Sequence, residues 1–298
     1  MKIRISLILV VVLATAVSAQ QAAAPRPTTP PVMVGQKDGF FTTKDGIKIH
    51  YLTHGPLTPL RAGDSGSWVV LVHGYSDNAQ RMWFNTGIAP EIAKHHRVVA
   101  IDNRNHGQSD KPVPGGSGRA QDIVELMDHL KIQRAHIHGY SMGGGIVASL
   151  LGMIPDRFIT AGFGGSGMSE TNATYRAEAE AMDDALPKAT GVDAEGMERF
   201  RSRVAAARPA GSPAAATAVT PPAAPSVDLT KLDIPILAVN GSFDNPYRKT
   251  HRLWREVKTF QNVILPNKTH LTAIAAGAAP DQQYIQVISK FIDAYDQK

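Results

Sequence analysis

Residues 136–145 read "HIHGYSMGGG" and set one serine, Ser141, among four glycines, at 139, 143, 144 and 145. Glycine loses more backbone freedom on folding than any other residue, so this density needs a structural reason. The pattern Gly139-Tyr140-Ser141-Met142-Gly143 is G-x-S-x-G, the signature of a nucleophile elbow. In such an elbow a strand turns sharply into a helix and leaves the serine hydroxyl exposed at the turn. The alternative is an ordinary flexible loop, and the flanking sequence decides between them.

Working outward, apolar runs and helical patterns alternate. The stretch "RAHIHGYS" (134–141) is an apolar strand, preceded by "SWVVLVHG" (67–74) and "RVVAIDN" (97–103). These continuous runs are expected of strands buried on both faces. Before them, "FFTTKDGIKIHYLTHG" from residue 40 reads as two short strands turned at Lys44-Asp45-Gly46. Between 97–103 and 134–141, Ile123, Val124, Leu126, Met127 and Leu130 recur at helical spacing. Further strands are expected at 157–165, 233–241 and 261–266, and a final helix carries Tyr284, Val287, Ile288, Phe291 and Ile292 on one face. Strands alternating with helices imply an α/β fold, with a mostly parallel central sheet covered by helices on both faces.

Residues 168–230 carry no strand signal. Their first part is helix-like, and the Ala/Pro-rich stretch 208–225 is of low complexity and expected to be mobile. An insertion of this length between two strands is expected to form a helical lid. The expected organisation is a signal peptide at 1–19, a disordered leader at 20–37, core at 38–167, the lid at 168–230 and core again at 231–298.

The amino-terminal reading follows from Lys2 and Arg4, an apolar run from Leu7 to Val17, and the small-residue pattern Val17-Ser18-Ala19. The run falls short of the roughly 20 apolar residues that span a bilayer, so cleavage near Ala19 and no stable membrane anchor are expected. Export to the periplasm or beyond is therefore the expected localisation. The 298-residue chain contains no cysteine, which excludes disulfides, thiol nucleophiles and thiolate metal sites. Without Lys2 and Arg4 the basic count falls from 31 to 29 against 26 acidic residues, a net charge of about +3 spread without a basic stripe. Nucleic-acid binding is not expected. Nor is a metal site, since no H-x-x-x-H helix or carboxylate cluster appears.

In an open parallel sheet, ligands sit beyond the carboxyl ends of the strands. Four groups fall at such ends: His73-Gly74-Tyr75, Ser141, Asp244 and His270. The order Ser, Asp, His with a strand-turn-helix serine fits a nucleophile, an orienting acid and a base. Among the rival histidines, His138 reads as a core residue within a strand and His95 and His96 as exposed residues before one. His73 and His106 read as loop-shaping residues near the site. Asp244 has one competitor, Glu170, because the acid can also arrive from the preceding strand.

"LVHGYSDN", "IDNRNHGQSD", "GYSMGG", "NGSFD" and "NKTHLT" occur in an order that resembles the α/β-hydrolase superfamily from about residue 38 to the carboxyl terminus. Asn105 stands where many members carry glycine. The resemblance implies an α/β-hydrolase fold, a Ser141-His270-Asp244 triad and no cofactor. It also implies an oxyanion hole made by the backbone N–H groups of Tyr75 and Met142, shaped by Gly139, Gly143, His73 and Gly74.

A serine rather than aspartate nucleophile argues against the dehalogenase and epoxide-hydrolase branches. "HGYSDN" lacks the H-G-G-P-G loop of proline-iminopeptidase-like members. The expected function is hydrolysis of small to medium carboxylic esters, with a small-molecule ester as partner and oligomeric state left open. Three alternatives remain at this level: a cofactor-free perhydrolase or haloperoxidase-like enzyme, a carbon–carbon bond hydrolase, and a receptor-like ligand binder of the same fold.

Overall fold

A computed structural model describes residues 35–55, 66–112, 118–206, 227–275 and 282–296. The expected signal peptide, most of the expected leader and the Ala/Pro-rich stretch 208–225 lie outside the described residues. Eight strands form one sheet: β1 (Lys37–Thr42), β2 (Lys48–His54), β3 (Trp68–Val72), β4 (Arg97–Ile101), β5 (Ala135–Tyr140), β6 (Phe158–Gly164), β7 (Ile236–Gly241) and β8 (Phe260–Leu265). Their spatial order is β1-β2-β4-β3-β5-β6-β7-β8. Only the β1–β2 and β2–β4 pairs run antiparallel; from β4 onward neighbours are parallel.

The helices are α1 (Ile88–Ile92), α2 (Arg119–His129), α3 (Met142–Met153), α4 (Ala173–Asp184), α5 (Gly191–Ala206), α6 (Pro246–Glu256), α7 (Thr272–Ala275) and α8 (Gln283–Asp296). Strand β3 explains why both faces are covered. Val70 and Val72 pack into one cluster with Ile123 of α2, Val147 of α3 and Leu253 of α6. Val69 and Leu71 point the other way, into a cluster with Ile88 of α1 and Tyr284 and Ile288 of α8. These four side chains are fully buried, and each contributes roughly 1.5–3 kcal/mol by leaving water. The uninterrupted apolar run is thus the mark of a strand with two dry faces.

The chain passes from β3 to β4 on one side and from β4 back to β5 on the other, so the strand order reverses around β3. Such a reversal opens a crevice at the carboxyl ends of the strands. His73-Gly74 follows β3 and Ser141 follows β5, which brings both to that crevice.

Two expectations need correction. Strand β1 starts at Lys37, inside the expected leader 20–37, because Lys37 pairs with Thr53 and Gln36 donates to Gln80 Oε1 at 2.6 Å. His96 is buried, not exposed; α8 brings Asp293 over it, with His96 Nε2 2.8 Å from Asp293 Oδ1. His95 is exposed, as expected. Between β6 and β7 the described residues hold helices α4 and α5 and no strand, and α4 packs mainly on α6. No described helix is long and apolar enough to cross a membrane.

Candidate active site

Ser141 joins β5 to α3 with φ 54° and ψ −114°, a conformation that side chains avoid unless the surroundings impose it. Its N–H donates to the Gly164 carbonyl at 2.8 Å, and its own carbonyl accepts from Gly144 N–H at 3.0 Å. The glycines on either side make the turn possible. A Cβ at Gly139 would run into the Gly143 carbonyl, and one at Gly143 into the Val72 carbonyl. Gly139 and Gly143 are therefore required by close backbone approach and Gly144 by the Ser166 side chain, while a Cβ at Gly145 would meet nothing; the flexible-loop alternative fails.

His270 Nε2 lies 2.9 Å from Ser141 Oγ, and His270 Nδ1 lies 2.8 Å from Asp244 Oδ2. Three segments converge here: the β5–α3 elbow, the turn after β7 and the loop after β8. The His270 backbone is tied down by Tyr140, whose phenol donates to the His270 carbonyl at 2.7 Å. Burial pushes the Tyr140 phenol well above its ordinary pKa, so it stays a neutral donor. With a carboxylate accepting at Nδ1, the imidazole carries its proton there and presents a bare Nε2 lone pair to the serine. That arrangement can take a proton from Ser141 Oγ and return it to a leaving group.

The loop after β3 lies beside the serine. A Cβ on Gly74 would sit 3.3 Å from Ser141 Cβ and 3.3 Å from the Tyr140 carbonyl. His73 fixes this loop. Its Nδ1 is 2.7 Å from the Gly74 carbonyl, and its Nε2 accepts from Asn103 N–H at 3.0 Å. Burial draws the His73 pKa down to about 4, so the ring stays neutral with one donor and one acceptor, as these two partners require. Holding the Gly74 carbonyl fixes the peptide plane whose other end is the Tyr75 N–H. His106 Nε2 lies 2.7 Å from the next carbonyl, that of Tyr75. Among the described residues, neither the Tyr75 nor the Met142 N–H has a backbone acceptor, and Met142 opens α3, where such groups have no partner within the helix.

Glu170, the competing acid, lies elsewhere. Its buried carboxylate meets His251 Nδ1 at 2.6 Å and Arg255 at 2.9 and 3.1 Å, and so ties the segment before α4 to α6. His138 is buried, as expected, at 2.8 Å from the Tyr284 hydroxyl, and burial lowers its pKa to about 3. No cluster among the described residues could hold a metal ion.

Two neighbours of the site had no sequence signal that placed them there. Phe200 of α5 lies over His270, with ring centroids 5.8 Å apart. Lys249 of α6 brings its Nζ within 2.6 Å of Asp244 Oδ2. Phe200 was visible only as one apolar residue of a thin helical face, and Lys249 as one base in the polar run "YRKTHRLWRE".

A family model described as the alpha/beta hydrolase fold matches residues 67–222. Esterase YbfF of Escherichia coli K12 is 36% identical over 95 residues, covering 31% of this chain and 36% of that protein. The dihydrolipoyllysine-residue acetyltransferase component of an acetoin cleaving system from Pseudomonas putida is 36% identical over 97 residues, covering 32% of this chain and 25% of that protein. The chain spans about a quarter to two-fifths of the length of the curated relatives it matches. Among solved structures, a thermophilic esterase from Thermogutta terrifontis superposes with a TM-score of 0.60 at 22% identity, covering 88% of this chain and all of that one. A proline iminopeptidase of Mycobacterium smegmatis superposes equally well at 15% identity, with a TM-score of 0.60 over 87% of this chain and 99% of that one. These two likenesses speak for the fold alone. With the family model spanning just over half of the 298 residues and the sheet order described above, the chain belongs to the α/β hydrolase fold family.

Proposed function

We propose that this protein is a serine hydrolase that cleaves small to medium carboxylic esters through an acyl-enzyme. The reading rests on one observation, the chain of contacts from Ser141 Oγ through His270 to Asp244 at 2.9 and 2.8 Å.

Ser141 Oγ attacks the ester carbonyl carbon as its proton passes to His270 Nε2, and the carbonyl π pair moves onto oxygen. The resulting oxyanion faces the N–H groups of Tyr75 and Met142; one such donor is worth about 3 kcal/mol of barrier. Asp244 accepts from His270 Nδ1–H and stabilises the imidazolium. Collapse breaks the carbon–oxygen bond to the alcohol, which leaves with the proton from Nε2. Water then gives a proton to Nε2 and attacks the acyl carbon. The carboxylic acid departs and Ser141 recovers its hydroxyl.

The acyl side is read as short. Phe200 is the residue of α5 whose ring meets His270, and one ring is a small covering surface for a long lipid chain. The insertion then acts as a lid over the triad. The amino-terminal segment, outside the described residues, is read as an export signal cut near Ala19, so the enzyme meets its esters in the periplasm or beyond.

Hydrolysis of a p-nitrophenyl ester chain-length series tests the function. Turnover on acetate and butyrate esters that vanishes in Ser141→Ala, with the fold intact, is the expected result. Sub-stoichiometric release, with thermal stabilisation by the ester retained in Ser141→Ala, would instead identify a ligand-binding protein.

A further inference from the structure

Lys249 lies in the first turns of α6, and its backbone has little freedom. Its carbonyl accepts from Met168 N–H at 2.8 Å, and a Cβ at Gly167 would strike that same carbonyl. The side chain runs inward to Asp244. Nζ is 2.6 Å from Asp244 Oδ2, the oxygen that His270 Nδ1 also reaches, at 2.8 Å. Nζ is buried and makes no aligned hydrogen bond to a described residue. Charge attraction between ammonium and carboxylate holds the contact at 2.6 Å.

The surroundings leave this cation facing the acid. On the β5 side stands the Tyr140 phenol, kept neutral by burial. On the α4 side stands Asp183, whose carboxylate accepts from Tyr247 N–H at 2.8 Å and Arg248 N–H at 2.9 Å as it caps α6. The Arg248 guanidinium lies 3.8 Å from Asp183 and is half exposed. From α5 comes the uncharged ring of Phe200. The loop after β8 touches the Asp244 turn through its backbone, the Lys268 carbonyl accepting from Phe243 N–H at 3.0 Å. Burial lowers the Lys249 pKa, and Asp244 opposes that shift.

We propose that Lys249 is a positioning residue of the triad: by sharing Asp244 Oδ2 with His270 Nδ1, it limits how strongly that carboxylate holds an imidazolium and so extends activity to lower pH. The proposal rests on the serine-hydrolase reading, in which neutral His270 is the base. A carboxylate already facing an ammonium is a weaker acceptor for Nδ1–H. The same ammonium repels a protonated imidazole a few ångströms away. Both effects favour neutral His270, and both vanish with the charge. Within a triad, the acid is therefore not the sole determinant of the base.

The experiment compares wild type with Lys249→Met, Lys249→Gln and Lys249→Arg. It follows kcat/KM for p-nitrophenyl acetate across the acid and neutral range, and in parallel the His270 ring resonances by NMR. Lys249→Met should raise the midpoint of the acid limb by roughly one pH unit, the smaller end of what a contacting charge exerts. Lys249→Arg, which keeps the charge, should hold the wild-type midpoint. If Lys249→Met does not fold, Lys249→Gln fills the same space without charge and carries the comparison. A folded neutral variant whose midpoint stays at the wild-type value overturns the proposal, even if its kcat/KM or Tm has dropped, since a merely structural role does that. The NMR titration needs no turnover. A shifted His270 midpoint in a protein that hydrolyses no ester would uphold the Lys249 contact and overturn the activity instead.

Discussion

Ser141 and Phe200 meet the same imidazole from two sides, and the two regions that carry them are built on different principles. The elbow is fixed by backbone. Gly139, Gly143 and the Val72 carbonyl approach too closely for any side chain to intervene, and three backbone hydrogen bonds clamp Ser141 itself. Helix α5 of the insertion is held by few of its described side chains. On α5 the pairs Arg199–Glu195 and Arg201–Glu198 lie in solvent and Val192 is 71% exposed, while Met197 is buried. Exposed pairs of this kind contribute roughly 0–1 kcal/mol. The proposed chemistry thus sits where close backbone contacts leave one solution, and the proposed cover rests on fewer contacts. Mutations should divide along the same line: all-or-none at the elbow, graded on the cover.

The largest expected effect is at the elbow. Ser141→Ala should lower kcat by on the order of 10⁶-fold with an unchanged circular dichroism spectrum, because the triad acts as a unit. A fluorophosphonate should label the wild type at Ser141 and leave the variant unlabelled. A residual rate within tenfold of wild type would mean that another nucleophile operates.

Asp244 comes next, and it separates geometry from charge. Asp244→Asn should cost about 10⁴-fold in kcat, since an amide can donate to Nδ1 and stabilise the wrong tautomer. It also leaves the buried Lys249 ammonium facing a neutral group, so Tm should fall as well. The double variant Asp244→Asn/Lys249→Met should recover much of the Tm and none of the activity. Equal Tm values in the single and double variants would show that the pair is not an energetic unit.

These contacts differ in how far the sequence disclosed them. The sheet was legible because parallel strands with two dry faces leave long apolar runs, as in β3, and Ser141 because its turn demands glycines at fixed spacing. Asp244 and His270 were legible as polar residues at strand ends. What stayed hidden depends on side chains that meet across distant elements: Lys249 on Asp244, Asp293 on His96, and His251 with Arg255 on Glu170. Burial of a lone polar residue leaves no period in the chain. Thus His96 read as exposed, and Glu170 as a spare catalytic acid.

Glu170 anchors the insertion, and its replacement probes the boundary between the two regions. Burial raises its pKa, but hydrogen bonds from Arg255 and His251 outweigh this and hold the carboxyl below its ordinary value. A depressed carboxyl contributes stability that is complete above its unfolded pKa and is lost as pH falls through the folded value. Glu170 should therefore support the α4–α6 contact at all pH values above about 5, and the contact should loosen only in stronger acid. Glu170→Gln takes the buried carboxylate from His251 and Arg255, though Arg255 keeps Glu256 at 2.8 Å, and should cost roughly 1–3 kcal/mol of stability, read by denaturant unfolding. It should leave the acid limb of activity where it was, because Glu170 does not touch the triad. A shifted limb would make the insertion and the elbow one electrostatic unit.

The smallest effect belongs to the cover itself. Phe200 contributes a ring 5.8 Å from the His270 ring and no hydrogen bond to the reacting groups. Phe200→Ala removes apolar surface that an acyl chain would share, while the serine, histidine and acid keep their contacts. Such a change weakens ground-state and transition-state binding together, which raises KM and leaves kcat near its original value. A few-fold rise in KM for butyrate esters is expected, with a smaller rise for acetate, whose methyl group reaches less of the ring. Val192→Ser, at the exposed start of the same helix, supplies the control: stability within about 0.5 kcal/mol of wild type and no change in KM. A Phe200→Ala enzyme whose kcat collapses as Ser141→Ala does would show that the ring holds His270 in place. The division between a fixed elbow and a permissive cover would then fail at the one residue where they touch.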